Sequence, residues 1–93
     1  MATLILSNAG AGAEGVYTLK ANDVTLSYGG TFAGESITLY ILLNGNYEPI
    51  EDGVLTAAGQ RILGAGIGAT IKAVVSSGGG SPSVNLSATM RGY

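Results

Sequence analysis

The chain of 93 residues contains no cysteine, no histidine and no tryptophan, and charged residues make up only 11% of it. Without cysteine there is no disulfide bond and no thiolate nucleophile, and without histidine there is no imidazole base and no usual zinc ligand set. An average soluble domain carries about 25% charged residues, so most of this protein's surface is uncharged. These absences exclude most hydrolase mechanisms, and we expect neither enzymatic activity nor a bound cofactor or metal.

The few charges also argue against binding to nucleic acid or to a membrane. The net charge is −2, and the four cations, Lys20, Arg61, Lys72 and Arg91, are spread singly along the chain. Binding to phosphates needs clustered cations, because several phosphates must be neutralised at once. The longest uncharged apolar run, at residues 37–43, is far shorter than the roughly 20 residues of a membrane-spanning helix. The first residues lack the pattern of an export signal, so we expect synthesis in the cytoplasm.

Alternation of apolar and polar residues with a period of two is the dominant pattern, and it predicts β-strands. Val24, Leu26 and Tyr28, for example, alternate with Thr25 and Ser27. Strand-like runs occupy residues 3–6, 16–19, 24–28, 37–43, 47–50, 60–63, 70–75 and 84–91.

This spacing predicts an all-β protein in which residues 1–93 form a single β-sandwich of about eight short antiparallel strands. Hydrophobic residues make up 46% of the chain, which is enough for one such core. The jelly-roll-like and the immunoglobulin-like strand orders both fit this number and length of strands.

Three local signals predict where particular strands lie. Asn44-Gly45 separates two apolar runs and suits a type I′ hairpin turn, in which both central residues have positive φ. Pro49 lacks an N–H group, so the strand that follows the hairpin is predicted to be an edge. Residues 70–75 are apolar on one face and mixed on the other, which predicts a central strand.

Residues 10–15 have the glycine spacing of a dinucleotide-binding loop, GxGxxG. That function needs a helix that opens at the third glycine, but residues 16–19 have a strand pattern instead. We therefore predict that residues 7–15 are a glycine-rich flexible loop near the N-terminus.

Three carboxylates, Glu48, Glu51 and Asp52, fall within five positions. Oxygen-rich clusters of this kind can bind Ca²⁺. The spacing of a known calcium loop is absent, however, so an exposed acidic rim is the expected interpretation.

Tyr40 and Leu42 are the candidate interface residues. They lie on the face of their strand opposite Ile37, Leu39, Ile41 and Leu43, so this strand is apolar on both sides. In a two-layer sandwich the outer face of a strand meets water, and an apolar outer face indicates that another surface covers it. We hypothesise a contact between subunits of a homo-oligomer.

Three segments of the sequence carry a family resemblance: residues 29–39 (GGTFAGESITL), residues 52–59 (DGVLTAAG), and residues 69–77, which are followed by a glycine loop. The pattern resembles the small β-sandwich virion proteins of tailed bacteriophages, in particular head decoration or cement proteins and related auxiliary capsid proteins. Many of those sequences have a Trp after the hairpin turn and an Arg in the strand before the last glycine loop. This chain has Tyr47 and Lys72 there.

The resemblance implies a structural role on the outside of a capsid, in the virion. Such a protein would bind itself, for example as a trimer, and the major capsid protein, and would stabilise the shell. The alternative is a carbohydrate- or receptor-binding module of a phage tail fibre or a bacterial surface, which would use exposed Tyr and Asn side chains and could bind Ca²⁺ at Glu48, Glu51 and Asp52.

Overall fold

Eight β-strands and no helix are found in the computed structural model, which describes residues 2–90. None of these residues belongs to a helix that could span a membrane. The strands are β1 (Ala2–Ala9), β2 (Glu14–Thr18), β3 (Val24–Thr31), β4 (Ile37–Leu43), β5 (Asn46–Leu55), β6 (Gly59–Leu63), β7 (Thr70–Val75) and β8 (Ser83–Met90).

The strands form four nested antiparallel pairs: β1 with β8, β2 with β7, β3 with β6, and β4 with β5. Pairing of β3 with β8 and of β4 with β7 joins them into two four-stranded sheets, in the orders β1-β8-β3-β6 and β2-β7-β4-β5. A long hairpin of four strand pairs wrapped into two layers gives this order, which is that of a jelly roll. The predicted all-β sandwich is confirmed, and of the two expected strand orders the jelly roll is the observed one.

The core lies between the two sheets and consists of alternate residues of the strands. In β3, Val24 and Leu26 are fully buried while Thr25 and Ser27 are partly exposed. This is the period that the sequence shows. The buried apolar residues are Leu6, Ala9, Tyr17, Leu19, Val24, Leu26, Ile37, Leu39, Leu55, Leu63, Ile71, Ala73, Val75, Val84, Leu86 and Ala88.

All three local predictions are confirmed. Asn44 and Gly45 have φ values of 51° and 84° and connect β4 to β5, as a type I′ turn requires. The strand β7 lies between β2 and β4, so it is central. The strand β5, which contains Pro49, is the edge of its sheet. It is longer than predicted because a register shift, with Asp52 at a φ of 55°, carries the pairing past the acidic residues.

The predicted loop at residues 7–15 is wrong in its extent. The strand β1 continues to Ala9 and β2 begins at Glu14, so only residues 10–13 connect them. Two register shifts keep β1 paired with β8, and the Asn8 N–H group donates to Asn85 Oδ1 at 2.9 Å. The GxGxxG pattern is thus followed by a strand, as expected, and not by the helix of a dinucleotide site. Arg91, predicted to end the last strand, lies outside the described residues.

Arg61 joins the two sheets at one open side of the sandwich. It lies in β6, the edge of the first sheet, and is paired with the buried Leu26 of β3. Its Nη1 group donates to the carbonyl oxygen of Asp52, in the edge strand β5 of the second sheet, at 2.8 Å. The long side chain thus lies at the rim of the core while its charged group reaches a polar acceptor.

Two leucines of β4 test the position of the core. Leu39→Ala removes a side chain with 0% exposure, and we expect it to lower the free energy of unfolding by about 2–5 kcal/mol. Leu43→Ala, at 51% exposure, is the control, with an expected loss of less than about 1 kcal/mol. Urea denaturation measures both values. Equal losses would contradict the assignment of Leu39 to the core.

Candidate interaction surface

Tyr40 and Leu42 lie on the outer side of β4, away from the core. Ile37 and Leu39 of the same strand have 0% exposure, whereas Tyr40 is partly exposed and Leu42 is 37% exposed. Successive side chains of a strand point to opposite faces, so burial of Ile37 and Leu39 directs Tyr40 and Leu42 outward, whereas Leu43, at the end of the strand, is exposed although it was predicted on the inner face. The outward position predicted for both residues is confirmed, and their role in a contact remains a hypothesis.

The neighbouring strands bring further residues to the same surface. Across the sheet, Val16, Lys72, Tyr40 and Pro49 are paired in one row. The next row contains Glu14, Val74, Thr38 and Val54. We call the surface formed by Val16, Thr38, Tyr40, Leu42, Tyr47, Val54 and Lys72 the Tyr40 face.

Lys72 is held between two tyrosines on this face. Its Nζ atom lies 4.4 Å from the centroid of the Tyr47 ring and 5.7 Å from that of Tyr40. Both distances are within the range of a cation–π interaction. Tyr47 reaches this position because it is paired with Leu42 across the β4–β5 hairpin. The one cation in these two rows is thus placed over aromatic rings, and the residues around it are mainly aromatic and aliphatic, with Thr38 in the next row and the exposed Glu14 at the edge.

The valines extend the apolar part of the Tyr40 face to both edges of the sheet. Val16 in the edge strand β2 and Val54 in the edge strand β5 are each 59% exposed. Protein interfaces are enriched in aromatic residues and depleted of charge at their centres. The composition of the Tyr40 face has this character.

The outer face of the other sheet is different in chemistry. Ser27 and Ser87 are paired across β3 and β8, as are Thr25 and Thr89. Gln60 in β6 donates to the Ser27 hydroxyl at 3.3 Å. Of the exposed large apolar residues on this sheet, Leu4 and Ile62 lie in its two edge strands, and Met90 is the last residue of the central strand β8. Its central strands therefore present hydroxyl groups, in contrast to the aromatic centre of the Tyr40 face.

Glu35, in the β3–β4 loop, is the centre of a hydrogen-bond network that was not predicted from the sequence. Its side chain is buried, with 6% exposure. Oε1 accepts hydrogen bonds from the Ser76 hydroxyl at 2.6 Å and the Gly78 N–H group at 2.8 Å, and Oε2 accepts one from the Gly80 N–H group at 2.7 Å. The donors are more than 40 positions away along the chain, so no local sequence signal identifies them.

These hydrogen bonds stabilise the charged form of Glu35. The Ser76 hydroxyl, the Gly80 N–H group and the Gly78 N–H group, in that order, lower the pKa of its carboxyl below the usual value, against the opposing effect of burial. The Ser76 hydroxyl is itself fixed, because it accepts a hydrogen bond from the Ser36 N–H group at 2.9 Å.

The acidic residues near the hairpin do not form a metal site. Glu48, Glu51 and Asp52 are exposed. Among residues 2–90, no three carboxylates come together in a group that could hold a metal ion. The expected interpretation as an acidic rim agrees with the exposure of the three side chains.

Comparison of the chain with protein-family models and with curated protein sequences finds no match.

The interaction of Lys72 with Tyr47 can be measured by a double-mutant cycle. We expect Lys72→Gln and Tyr47→Leu to show a coupling of about 0.5–1 kcal/mol in the free energy of unfolding, because each variant alone removes the same cation–π contact. Lys20→Gln, at an exposed lysine in the β2–β3 connection, is the matched control and should be additive with Tyr47→Leu. Additive effects of the Lys72 and Tyr47 variants in urea denaturation would contradict the contact.

Proposed function

We propose that this chain is a non-enzymatic structural protein of a tailed-bacteriophage virion. It binds the outside of the capsid and stabilises it, as a decoration or cement protein does. It acts as a homo-oligomer, with a trimer as the first stoichiometry to test, and its second partner is the major capsid protein.

The Tyr40 face is the observation that carries this proposal. It combines two tyrosines, exposed leucine and valine side chains and a single lysine on one side of a sheet. A contact of standard size takes about 800 Å² from each partner, which is about one sixth of this protein's 5022 Å² surface. A protein this small must use a whole sheet face for such a contact, and the Tyr40 face has the required composition.

The fold and the resemblance support the same proposal with less weight. Jelly rolls are frequent in viral capsid proteins and in lectins, but a fold alone does not select a function. The sequence pattern over residues 29–39 and 52–59 resembles that of phage decoration proteins, and it therefore supports a capsid protein over a lectin.

The position of Lys72 favours a protein contact over the carbohydrate-binding alternative. A sugar ring stacks on the face of an exposed aromatic side chain. The Lys72 ammonium group already lies over the Tyr47 ring, 4.4 Å from its centroid, and close to the Tyr40 ring. A sugar would have to displace this cation, whereas a flat protein surface can cover Lys72 and the two tyrosines without moving them.

A charge placed on the Tyr40 face tests the proposal. We expect Leu42→Glu to lower the oligomeric mass in light scattering and to weaken capsid binding by at least about tenfold, which is about 1.4 kcal/mol, because an added carboxylate would have to be desolvated in the contact. Ile62→Glu introduces the same charge at a 55% exposed position on the other sheet and should change neither value.

Binding is measured by co-sedimentation with capsids of the encoding phage that lack this protein. Saturable binding at a fixed ratio to the coat subunit, with a raised melting temperature of the capsid, is the expected result. A monomer that does not bind these capsids would overturn the proposed function. Binding to glycans by that monomer would support the alternative.

A further inference from the structure

The Glu35 carboxylate connects two loops at one end of the sandwich. The β3–β4 loop holds Glu35, and the β7–β8 loop supplies all three donors, from Ser76, Gly78 and Gly80. Both carboxylate oxygens act as acceptors. A protonated acid or an amide has a donor at one of these two oxygen positions and would direct it at an N–H or O–H group. The arrangement therefore favours the ionised form, which accepts all three hydrogen bonds.

The β7–β8 loop has little else to hold it closed. Residues 77–79 and 81 are exposed and Gly80 is partly exposed, so this segment contributes little apolar burial. A Cβ atom at Gly80 would clash with the Ala33 carbonyl oxygen, so only glycine permits the close approach. Segments with few buried apolar contacts open at a lower free energy than the core does. The hydrogen bonds to Glu35 are the interactions that keep this segment in place.

Glu35 is the only titratable side chain in the two loops that it connects and in the chain segments next to them. Residues 29–36, 76–90 and the β1–β2 connection at 10–13 contain no other. The next one along the neighbouring strand is Glu14, which is paired with Val74 and is exposed. Glu35 is therefore the one titratable side chain within the β3–β4 and β7–β8 loops that it connects.

We propose that Glu35 is an acid-released latch: its ionised carboxylate holds residues 77–81 closed, and its protonation lets this segment open while the two sheets stay packed. This inference does not depend on the proposed function.

The direction of the pH effect follows from the lowered pKa of the Glu35 carboxyl in the folded protein. A group with a depressed folded-state pKa stabilises the closed form fully above its unfolded-state pKa. This contribution is lost as the pH falls through the folded-state value. The latch is closed at neutral pH, and acid opens it.

Amide NMR of the wild-type protein between pH 7 and pH 2 tests the latch. We expect the Gly78 and Gly80 amide signals to shift together with one midpoint below the usual glutamate range, while those of the core residues Leu39 and Ile71 stay constant. Two results would overturn the proposal: glycine signals that do not titrate, or glycine and core signals that change together, since the latter is global unfolding.

Glu35→Gln is the first variant to examine. At pH 7 its Gly78 and Gly80 amides should exchange with solvent at least about tenfold faster than in the wild type, because a hydrogen bond to a charged group is stronger than one to a neutral group. Glu51→Gln removes an exposed carboxylate and should leave these rates unchanged. Equal rates in Glu35→Gln and the wild type would contradict the latch.

Ser76→Ala keeps the proposal testable if Glu35→Gln does not fold. This variant retains both backbone donors and removes the hydroxyl that lowers the pKa of the Glu35 carboxyl most. The midpoint of the Gly78 and Gly80 shifts should therefore move to higher pH. An unchanged midpoint would show that the glycine signals report on a group other than Glu35.

Discussion

Burial of alternate side chains between two sheets is the constraint on which the other features depend. Once Leu39 is in the core, Tyr40 must face outward, and burial of Ile71 and Ala73 directs Lys72 to the same side. The antiparallel register then sets Lys72 beside Tyr40. The position of the candidate interaction surface therefore follows from the packing of the core. A shift of one residue in the pairing of β4 or β7 would turn the buried side chains outward and the surface side chains inward.

Two kinds of interaction stabilise different parts of the molecule. The sheets are joined by apolar burial, which does not respond to protonation. The glycine-rich β7–β8 loop lacks apolar side chains of its own, apart from the buried Pro82 at its end, and is held by hydrogen bonds to Glu35. In a protein with so few charges, a single carboxylate therefore has a strong local influence. Protonation of Glu35 therefore acts on the second kind of interaction and leaves the first unchanged.

Features set by neighbouring residues could be predicted from the sequence, and features set by distant ones could not. The Asn44-Gly45 turn and the edge position of Pro49 follow from backbone conformations of the residues themselves. The outward direction of Tyr40 and Leu42 follows from strand period alone. The jelly-roll order has no such signal, because it depends on which strands pair. The full length of β5 could not be predicted, because an irregular register interrupts its strand pattern. The donors to Glu35 could not be predicted either, because they lie 41 to 45 positions further along the chain.

The nested pairing also fixes where attachments leave the molecule. Ala2 is paired with Thr89, so the two ends of the described chain lie side by side. They are at the same end of the sandwich as the Asn44-Gly45 turn, and the Glu35 loop is at the opposite end, since β4 runs from Ile37 next to that loop to Leu43 next to the turn. A group attached at Ala2 and one attached at Thr89 would therefore lie at the same end of the sandwich, opposite the Glu35 loop. This geometry suits display of two tethered groups next to each other.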